Sequence, residues 1–399
     1  MCEKKNTGID FQYEHASRLV DLYSKLQDDM SRRVFWARLQ CDTAFNMSNL
    51  FSLFLLSGYL TEDEEAYCFC WKGKMKELQE LGKKIILYGA GACGKVIGEA
   101  LLADGCDFFA FCDGSKERQS QEGSLLGKPV VSPEYVIGNK EDCYVIICAQ
   151  NSYTEIVDIL RKNDFDETHI VRFFDGLMRD NSSKIETQYF VFPEYYKKGT
   201  ALVDAGSYDG KDSLYFANWC KGEYSKIFAF EPDRLNYEMC RDNFVKWEMK
   251  NVELFEAGLS ADGKDKKFAS SDDTRYNNYL ITEELEETIP LGVRGKQNQI
   301  SIVQTCKLDD MMKTETVGFI KMDIEGAELD ALKGAEETII RDWPFLAIST
   351  YHRRGDLLVL MSYLNTIVPE YRFFLRHYGA LASETVLYAT VQKAEERIR

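Results

Sequence analysis

The sequence predicts an α/β protein made of two Rossmann-like units, the first preceded by a helical segment. Three observations carry this expectation. From residue 84 onward, short apolar runs rich in β-formers alternate with stretches of helical period, the pattern of parallel strands joined by helical crossovers. Two separate series of this kind each open on a glycine-rich turn from strand to helix. A polar stretch, Arg179 to Lys184, lies between them and marks the main boundary.

Residues 1–80 are expected to form a helical N-terminal segment, because Leu19, Tyr23 and Leu26 recur at three- and four-residue intervals and Val34, Phe35 and Leu39 continue the pattern. Residues 81–180 form the first Rossmann-like unit, with strands at Ile85 to Tyr88, Phe108 to Cys112 and Tyr144 to Cys148. Residues 190–399 form the second. Its strands are expected at Ala201 to Asp204, Ile227 to Phe230, Val252 to Glu256, Ile302 to Cys306, Phe319 to Met322, Phe345 to Thr350, Tyr371 to Arg376 and Val386 to Val391.

Composition narrows the function classes. The chain has 399 residues, 45% hydrophobic and 29% charged, with only 7 prolines, as in an ordinary globular protein. The formal net charge of -16 repels a polyanion, so nucleic acid is not an expected partner. The 12 cysteines offer Cys68-Phe-Cys70 but no Cys-x-x-Cys pair, and read as reduced thiols of a cytoplasmic protein. The longest apolar run, Leu50 to Leu60, is too short to span a bilayer, so no membrane span is expected. The sequence does not specify an oligomeric state.

The two glycine turns differ in chemistry. In the first, a strand runs into Gly89-Ala-Gly91-Ala-Cys-Gly94, the G-x-G-x-x-G arrangement in which glycines let a phosphate approach the free amides of a helix. Asp113, about twenty residues on, is placed to take ribose hydroxyls. A nucleotide site at Gly89, Gly91, Gly94 and Asp113 and a Rossmann-like turn that binds nothing fit this motif equally. The second turn, Asp204-Ala-Gly206-Ser207-Tyr208-Asp-Gly210, has an acid at the end of its strand and a G-x-x-x-G spacing. A carboxylate there suits S-adenosylmethionine, which carries an ammonium and a sulfonium and no phosphate. Glu231, followed by Pro232, ends the next strand and is positioned to accept from ribose hydroxyls. Ala257, Gly258 and Leu259 end the third, where small residues let an adenine lie against the backbone.

These residues resemble the FkbM-type S-adenosylmethionine-dependent methyltransferases over about the last half of the chain. The resemblance rests on the turn just described, on Phe230-Glu231-Pro232, on Thr305-Cys-Lys-Leu308-Asp309-Asp310, and above all on Ile320-Lys-Met-Asp323-Ile-Glu325-Gly326-Ala-Glu328 followed by Leu332-Lys-Gly334-Ala335. Ile348 to His352 and Leu375 to Tyr378 resemble bacterial members. The resemblance implies a class I methyltransferase fold, S-adenosylmethionine as cofactor, and O-methylation of a sugar, glycan precursor or secondary metabolite. Ser207, Tyr208 and Asp209 stand where relatives often carry smaller or amide residues. The first unit, with its Gly127 to Pro133 segment, is similar to nucleotide-sugar-binding modules of bacterial glycan enzymes, which would suit a small-molecule or carrier-linked sugar acceptor.

Asp323, at the end of the fourth parallel strand, is the first candidate to face the methyl group. His352 ends the next strand and suits a general base, with Glu325 and then His377 as further catalytic candidates. Glu328 reads as a helix-entry carboxylate. The spacing of Asp323, Glu325, His352 and His377 is not diagnostic of a metal site, and none is expected. The polar, aromatic loop from Ser270 to Tyr279 suits a lid, and Arg353 and Arg354 read as surface charge. Two rivals are weighed: an NAD- or nucleotide-sugar-dependent enzyme using the first turn, for which no Tyr-x-x-x-Lys accompanies that turn, and a non-catalytic scaffold, against which Asp204, Glu231 and Asp323 together argue.

Overall fold

The structure, a computed structural model, describes residues 8–58, 71–120, 124–149, 152–171, 182–270, 279–281, 299–379 and 381–391. The Cys68-Phe-Cys70 motif and residues 271–278 of the expected lid lie outside them. The chain divides into two compact units: Met1–Phe35 with Ser183–Arg376 and Glu384–Arg399, and Trp36–Ser182 with His377–Ser383.

The unit centred on residues 36–182 opens its sheet with β1 (Lys84–Tyr88), β2 (Ala110–Cys112), β3 (Ser124–Leu125), β4 (Lys128–Val131) and β5 (Cys143–Ile147), in the spatial order β3-β4-β2-β1-β5. β1 runs parallel to β2 and β5, and β2 runs parallel to β4. Ile86 and Val145 pack on one face with Leu160, while Leu87 and Ile146 pack on the other with Met47, Leu50 and Leu101. With both faces covered, the strands read as continuous apolar runs rather than alternating ones.

The other unit carries β6 (Ala201–Ala205), β7 (Ile227–Phe230), β8 (Val252–Phe255), β9 (Gly258–Leu259), β10 (Lys266–Ser270), β11 (Tyr279–Ile281), β12 (Gln299–Val303), β13 (Thr305–Cys306), β14 (Val317–Met322), β15 (Phe345–Ser349), β16 (Arg372–His377) and β17 (Thr385–Thr390). Among the described residues its main sheet has seven strands in the order β16-β17-β15-β14-β6-β7-β8. Neighbours from β15 through β8 pair parallel, and β17 is antiparallel to β15. Every residue of β6, β7, β14, β15 and β17 is buried. The order reverses beside β6, with β7 on one side and β14 on the other, and this switch point is where open parallel sheets bind ligands.

Two expectations change. Ile302 to Cys306 is not a strand of the parallel sheet: Gln299–Val303 pairs antiparallel with β10, and Thr305–Cys306 pairs with β9. Ser301 and Gln304 interrupt the run, and Ile300 and Ile302 are about two-thirds exposed, at 66% and 65%, which a strand covered on both faces does not permit. The helical segment 1–80 is also not a body of its own. Its first 35 residues cluster with the larger sheet, where Leu26 bridges Phe373 and Arg376 pairs with Asp28 at 2.6 Å; the residues from Trp36 onward cluster with the other unit.

Candidate active site

The turn after β6 is shaped by what lies behind it. Gly206 has φ +80°, and a Cβ there would fall 1.9 Å from the carbonyl oxygen of Asp323, so only glycine lets β6 and β14 end side by side. Gly206 and Ser207 both donate their amides to the Phe230 carbonyl at 3.0 Å, and Gly210 donates to Ser207 at 2.7 Å. Tyr208, also left-handed at φ 48°, donates its amide to Glu231 at 2.9 Å. The other Glu231 oxygen accepts from Asp233 at 2.9 Å, which ties the end of β7 to the turn. Burial, opposed by these two amide bonds, raises the Glu231 carboxyl to about 7. Pro232 is half-buried beside it. At the next strand end Ala257 and Leu259 are buried, and Gly258 pairs with Thr305 in the short ladder of β9 and β13.

Asp204 does not face outward from the turn. It is fully buried, accepts from Ser213 Oγ at 2.7 Å, and pairs with Lys321 at 3.3 Å. Lys321 also pairs with Asp212 at 2.9 Å and donates to the Gly206 carbonyl at 2.6 Å. Burial disfavours the ammonium, but Asp212, Asp204 and Asp323 outweigh it and raise the lysine above its ordinary range. The sequence reading assigned Asp204 to the cofactor's cation; the structure gives that carboxylate a lysine of its own. Lys321 was missed, although a single lysine inside Phe319-Ile320-Lys321-Met322 signals a buried cation that needs acids.

The second cluster forms at the ends of β14 and β15. His352 is 4% exposed; its Nε2 lies 3.2 Å from Asp323 and 3.5 Å from Glu325, and its Nδ1 lies 2.9 Å from Glu328. Asp323 accepts from Tyr189 Oη at 2.7 Å and from Tyr351 Oη at 3.4 Å. Glu384, on the segment before β17, accepts from Gln188 at 2.8 Å and from Tyr351 at 3.3 Å. Burial works against ionised Asp323, but His352 and then Lys321 hold its carboxyl well below the usual range. Burial likewise works against the imidazolium, but Glu328, Glu325 and Asp323 outweigh it and raise His352 well above an ordinary histidine. Three carboxylates thus favour the protonated ring, the form that lacks the free lone pair a general base needs, so the general-base role expected of His352 does not follow from this arrangement.

The structure brings Asp323, Glu325 and His352 together and leaves His377 out. His377, the last residue of β16, clusters with the unit centred on residues 36–182, where burial and then the Arg38 guanidinium lower its pKa to about 3. In that same unit the first glycine turn is tight: Gly89 has φ +120°, and a Cβ on Gly94 would fall 1.8 Å from the Gly89 carbonyl. Asp113, expected to take ribose hydroxyls, instead accepts from the Ala90 amide at 2.9 Å and from Arg118 at 2.8 Å. The Arg118 guanidinium stands 3.5 Å from where a Gly91 Cβ would be, over the turn itself.

The larger unit, with strand order β16-β17-β15-β14-β6-β7-β8, an antiparallel β17 and a glycine turn with a following acid at the switch point, is a class I methyltransferase fold. Residues 204–380 match the methyltransferase FkbM domain, and this part of the chain is a methyltransferase domain of that type. Methyltransferases of this family take S-adenosylmethionine as methyl donor. The donor set around the turn fits that molecule: Glu231 presents a buried carboxylate beside tight glycines, and Lys321 is turned beneath the turn and paired, which suits a nucleoside with cationic groups better than a pyrophosphate.

Among similar proteins, methyltransferase sdnD of Sordaria araneosa is 26% identical over 187 residues, 39% of this chain and 71% of that protein. The 2-O-methyltransferase NoeI of Sinorhizobium fredii is 26% identical over 185 residues, 42% of this chain and 70% of that protein. The crystal structure of methyltransferase FkbM from Methylobacillus flagellatus aligns over 82% of this chain and 98% of that one, with 19% identity and a TM-score of 0.46. Among the described residues, no helix is long and apolar enough to cross a membrane.

Proposed function

We propose that this protein transfers a methyl group from S-adenosylmethionine to a hydroxyl of a small-molecule or carrier-linked sugar acceptor. The observation that carries this reading is the back-to-back contact of Gly206 and Asp323, which sets the cofactor turn and the Asp323 cluster on one sheet edge. Similarity to a 2-O-methyltransferase supports oxygen as the acceptor atom. Glu231 takes the ribose hydroxyls, the backbone from Gly206 to Gly210 wraps the amino-acid end, and Ala257 to Leu259 border the base. When bound, the cofactor supplies an electrophilic methyl on a sulfonium. Asp323, ionised and held by Tyr189 and Tyr351, accepts a hydrogen bond from the acceptor hydroxyl, aims its oxygen and takes its proton as the C–O bond forms and the C–S bond breaks, the sulfur leaving as a neutral thioether. Rate then comes chiefly from holding oxygen and methyl at near-attack distance.

Calorimetric titration of S-adenosylmethionine into the full chain at pH 6, 7 and 8 tests this. The ribose hydroxyls donate to ionised Glu231. With its carboxyl at about 7 in the free protein, the ionised fraction and with it the affinity are expected to fall about tenfold from pH 8 to pH 6. Glu231→Gln should bind more weakly and without that pH dependence. Absence of saturable binding to folded protein, or unchanged affinity in Glu231→Gln, would overturn the reading.

A further inference from the structure

The loop after β14 and the loop after β15 converge on a single imidazole with three carboxylates. One donor atom each of Asp323, Glu328 and His352 falls within 4.8 Å of the others, and Glu325 approaches the same ring at 3.5 Å from Nε2. We propose that this cluster is a divalent-cation site in which His352 Nε2, Asp323 and Glu325 are the ligands and Glu328 orients the imidazole from behind.

The division of roles follows from the geometry. Glu328 is 1% exposed, and its Oε1 already accepts from the Ile324 amide at 3.1 Å and the Gly326 amide at 3.3 Å while lying 2.9 Å from His352 Nδ1. A carboxylate fixed by the backbone and set against Nδ1 is the usual partner of a metal-bound histidine, since it fixes the ring and turns Nε2 toward the metal. Nε2 in turn faces Asp323 and Glu325, whose side chains keep 26% and 30% exposure and so border an approach from solvent. Glu325 has φ 54°, a left-handed conformation costly for a residue with a Cβ.

A second observation separates this cluster from an ordinary group of acids. The His352 side chain is 96% buried by its 4% exposure, and neither ring nitrogen makes an aligned hydrogen bond despite the three carboxylates around it. The ring nitrogens and the carboxylate oxygens converge on one small volume, and a cation entering it would take the place of the proton that the carboxylates otherwise favour on His352. Charge points the same way. Three carboxylates contact His352, and two more, Asp356 and Glu384, act on the cluster through space, with Lys321 and Arg353 at the margin. Buried carboxylates at this density require cationic compensation. One imidazole with carboxylate oxygens suits a first-row divalent ion such as Mn²⁺ or Zn²⁺ better than Ca²⁺, which takes oxygen ligands. This proposal departs from the sequence-based expectation of no metal.

Cation binding does not depend on the methyltransferase reading, but the site's use does: beside the cofactor turn, the cation would polarise and orient an acceptor oxygen. The test is Mn²⁺ titration of the EDTA-treated full chain, with free Mn²⁺ followed by electron paramagnetic resonance. One saturable site per chain is expected, weakened at least tenfold in Asp323→Asn and in Glu325→Gln and unchanged in Asp262→Asn, whose carboxylate pairs with Lys264 and Lys266. Circular dichroism establishes that each variant is folded, and Mn²⁺ should raise the melting temperature of the parent and of Asp262→Asn but not of the two site variants. No saturable Mn²⁺ binding, or binding undiminished in both site variants, would overturn the proposal. Calorimetry with S-adenosylmethionine on the same EDTA-treated protein separates the readings. Cofactor binding without Mn²⁺ binding sinks the cation site alone, whereas Mn²⁺ binding lost in the site variants, without cofactor binding, upholds the cation site and sinks the methyltransferase reading.

Discussion

Lys321→Met tests whether the buried lysine is the pivot of the cofactor turn. The side chain is 2% exposed and pairs with Asp204, which is 0% exposed, and with Asp212, which is 24% exposed. Methionine fills much the same volume, so the loss is electrostatic: Asp204 keeps only its bond from Ser213 Oγ, and the Gly206 carbonyl loses its donor. Removing one partner of a buried ion pair costs about 3–5 kcal/mol. The pH dependence has a definite sign. Burial raises the Asp212 carboxyl from 3.8 to about 6, with Lys321 pulling it down and Asp204 pushing it up. Between those two values the folded chain holds more protons at Asp212 than the unfolded chain, so stability falls as pH rises through that window. Without Lys321 the folded value climbs further, and the variant's deficit should be larger at pH 8 than at pH 5. Urea unfolding of parent and variant at both pH values measures it. A deficit below about 1 kcal/mol at pH 8, or one that does not shrink at pH 5, would refute the reasoning.

Two further outcomes follow from neighbouring features. Gly206→Ala places a Cβ 1.9 Å from the Asp323 carbonyl on a residue at φ +80°, so backbone strain and overpacking together should cost about 2–5 kcal/mol in chemical unfolding, with weaker cofactor binding in calorimetry; a loss under about 1 kcal/mol would refute the tight contact. His377, held neutral with its pKa lowered from 6.5 to about 3 by burial and then Arg38, takes up a proton on unfolding between those values. Stability is therefore lost as pH falls through that window, by up to about 1.4 kcal/mol per pH unit. His377→Gln should flatten the pH dependence of the unfolding midpoint between pH 4.5 and 6.5, and an unchanged slope would refute the assignment.

The elements that were legible in the sequence are those whose signal is local. β7 runs over Ile227–Phe230 as its apolar run indicates, and the glycine turn after β6 shows in the spacing of Gly206 and Gly210. Asp323, Glu325 and His352 could be nominated because each ends or follows a strand. What was not legible depends on partners far along the chain. The pairing of Leu26 with Phe373 turns part of an expected helical segment into an attachment of the sheet, and no local period announces it. The exclusion of His377 rests on Arg38, and the role of Asp204 on Lys321. The upward shift of His352 comes from three carboxylates whose convergence only the fold produces, whereas an isolated histidine near a strand end reads as a base.

The bond from Lys321 to the Gly206 carbonyl spans 115 residues of chain. A ribosome releases the turn long before it releases the lysine, so a nascent chain ending short of β14 holds every glycine and acid of the cofactor loop but not the cation that anchors them. Ligand capture by this loop is thus a late event in the life of the chain, and any split, fusion or permutation that separates residues 204–212 from Lys321 would have to reunite them before the loop takes its shape.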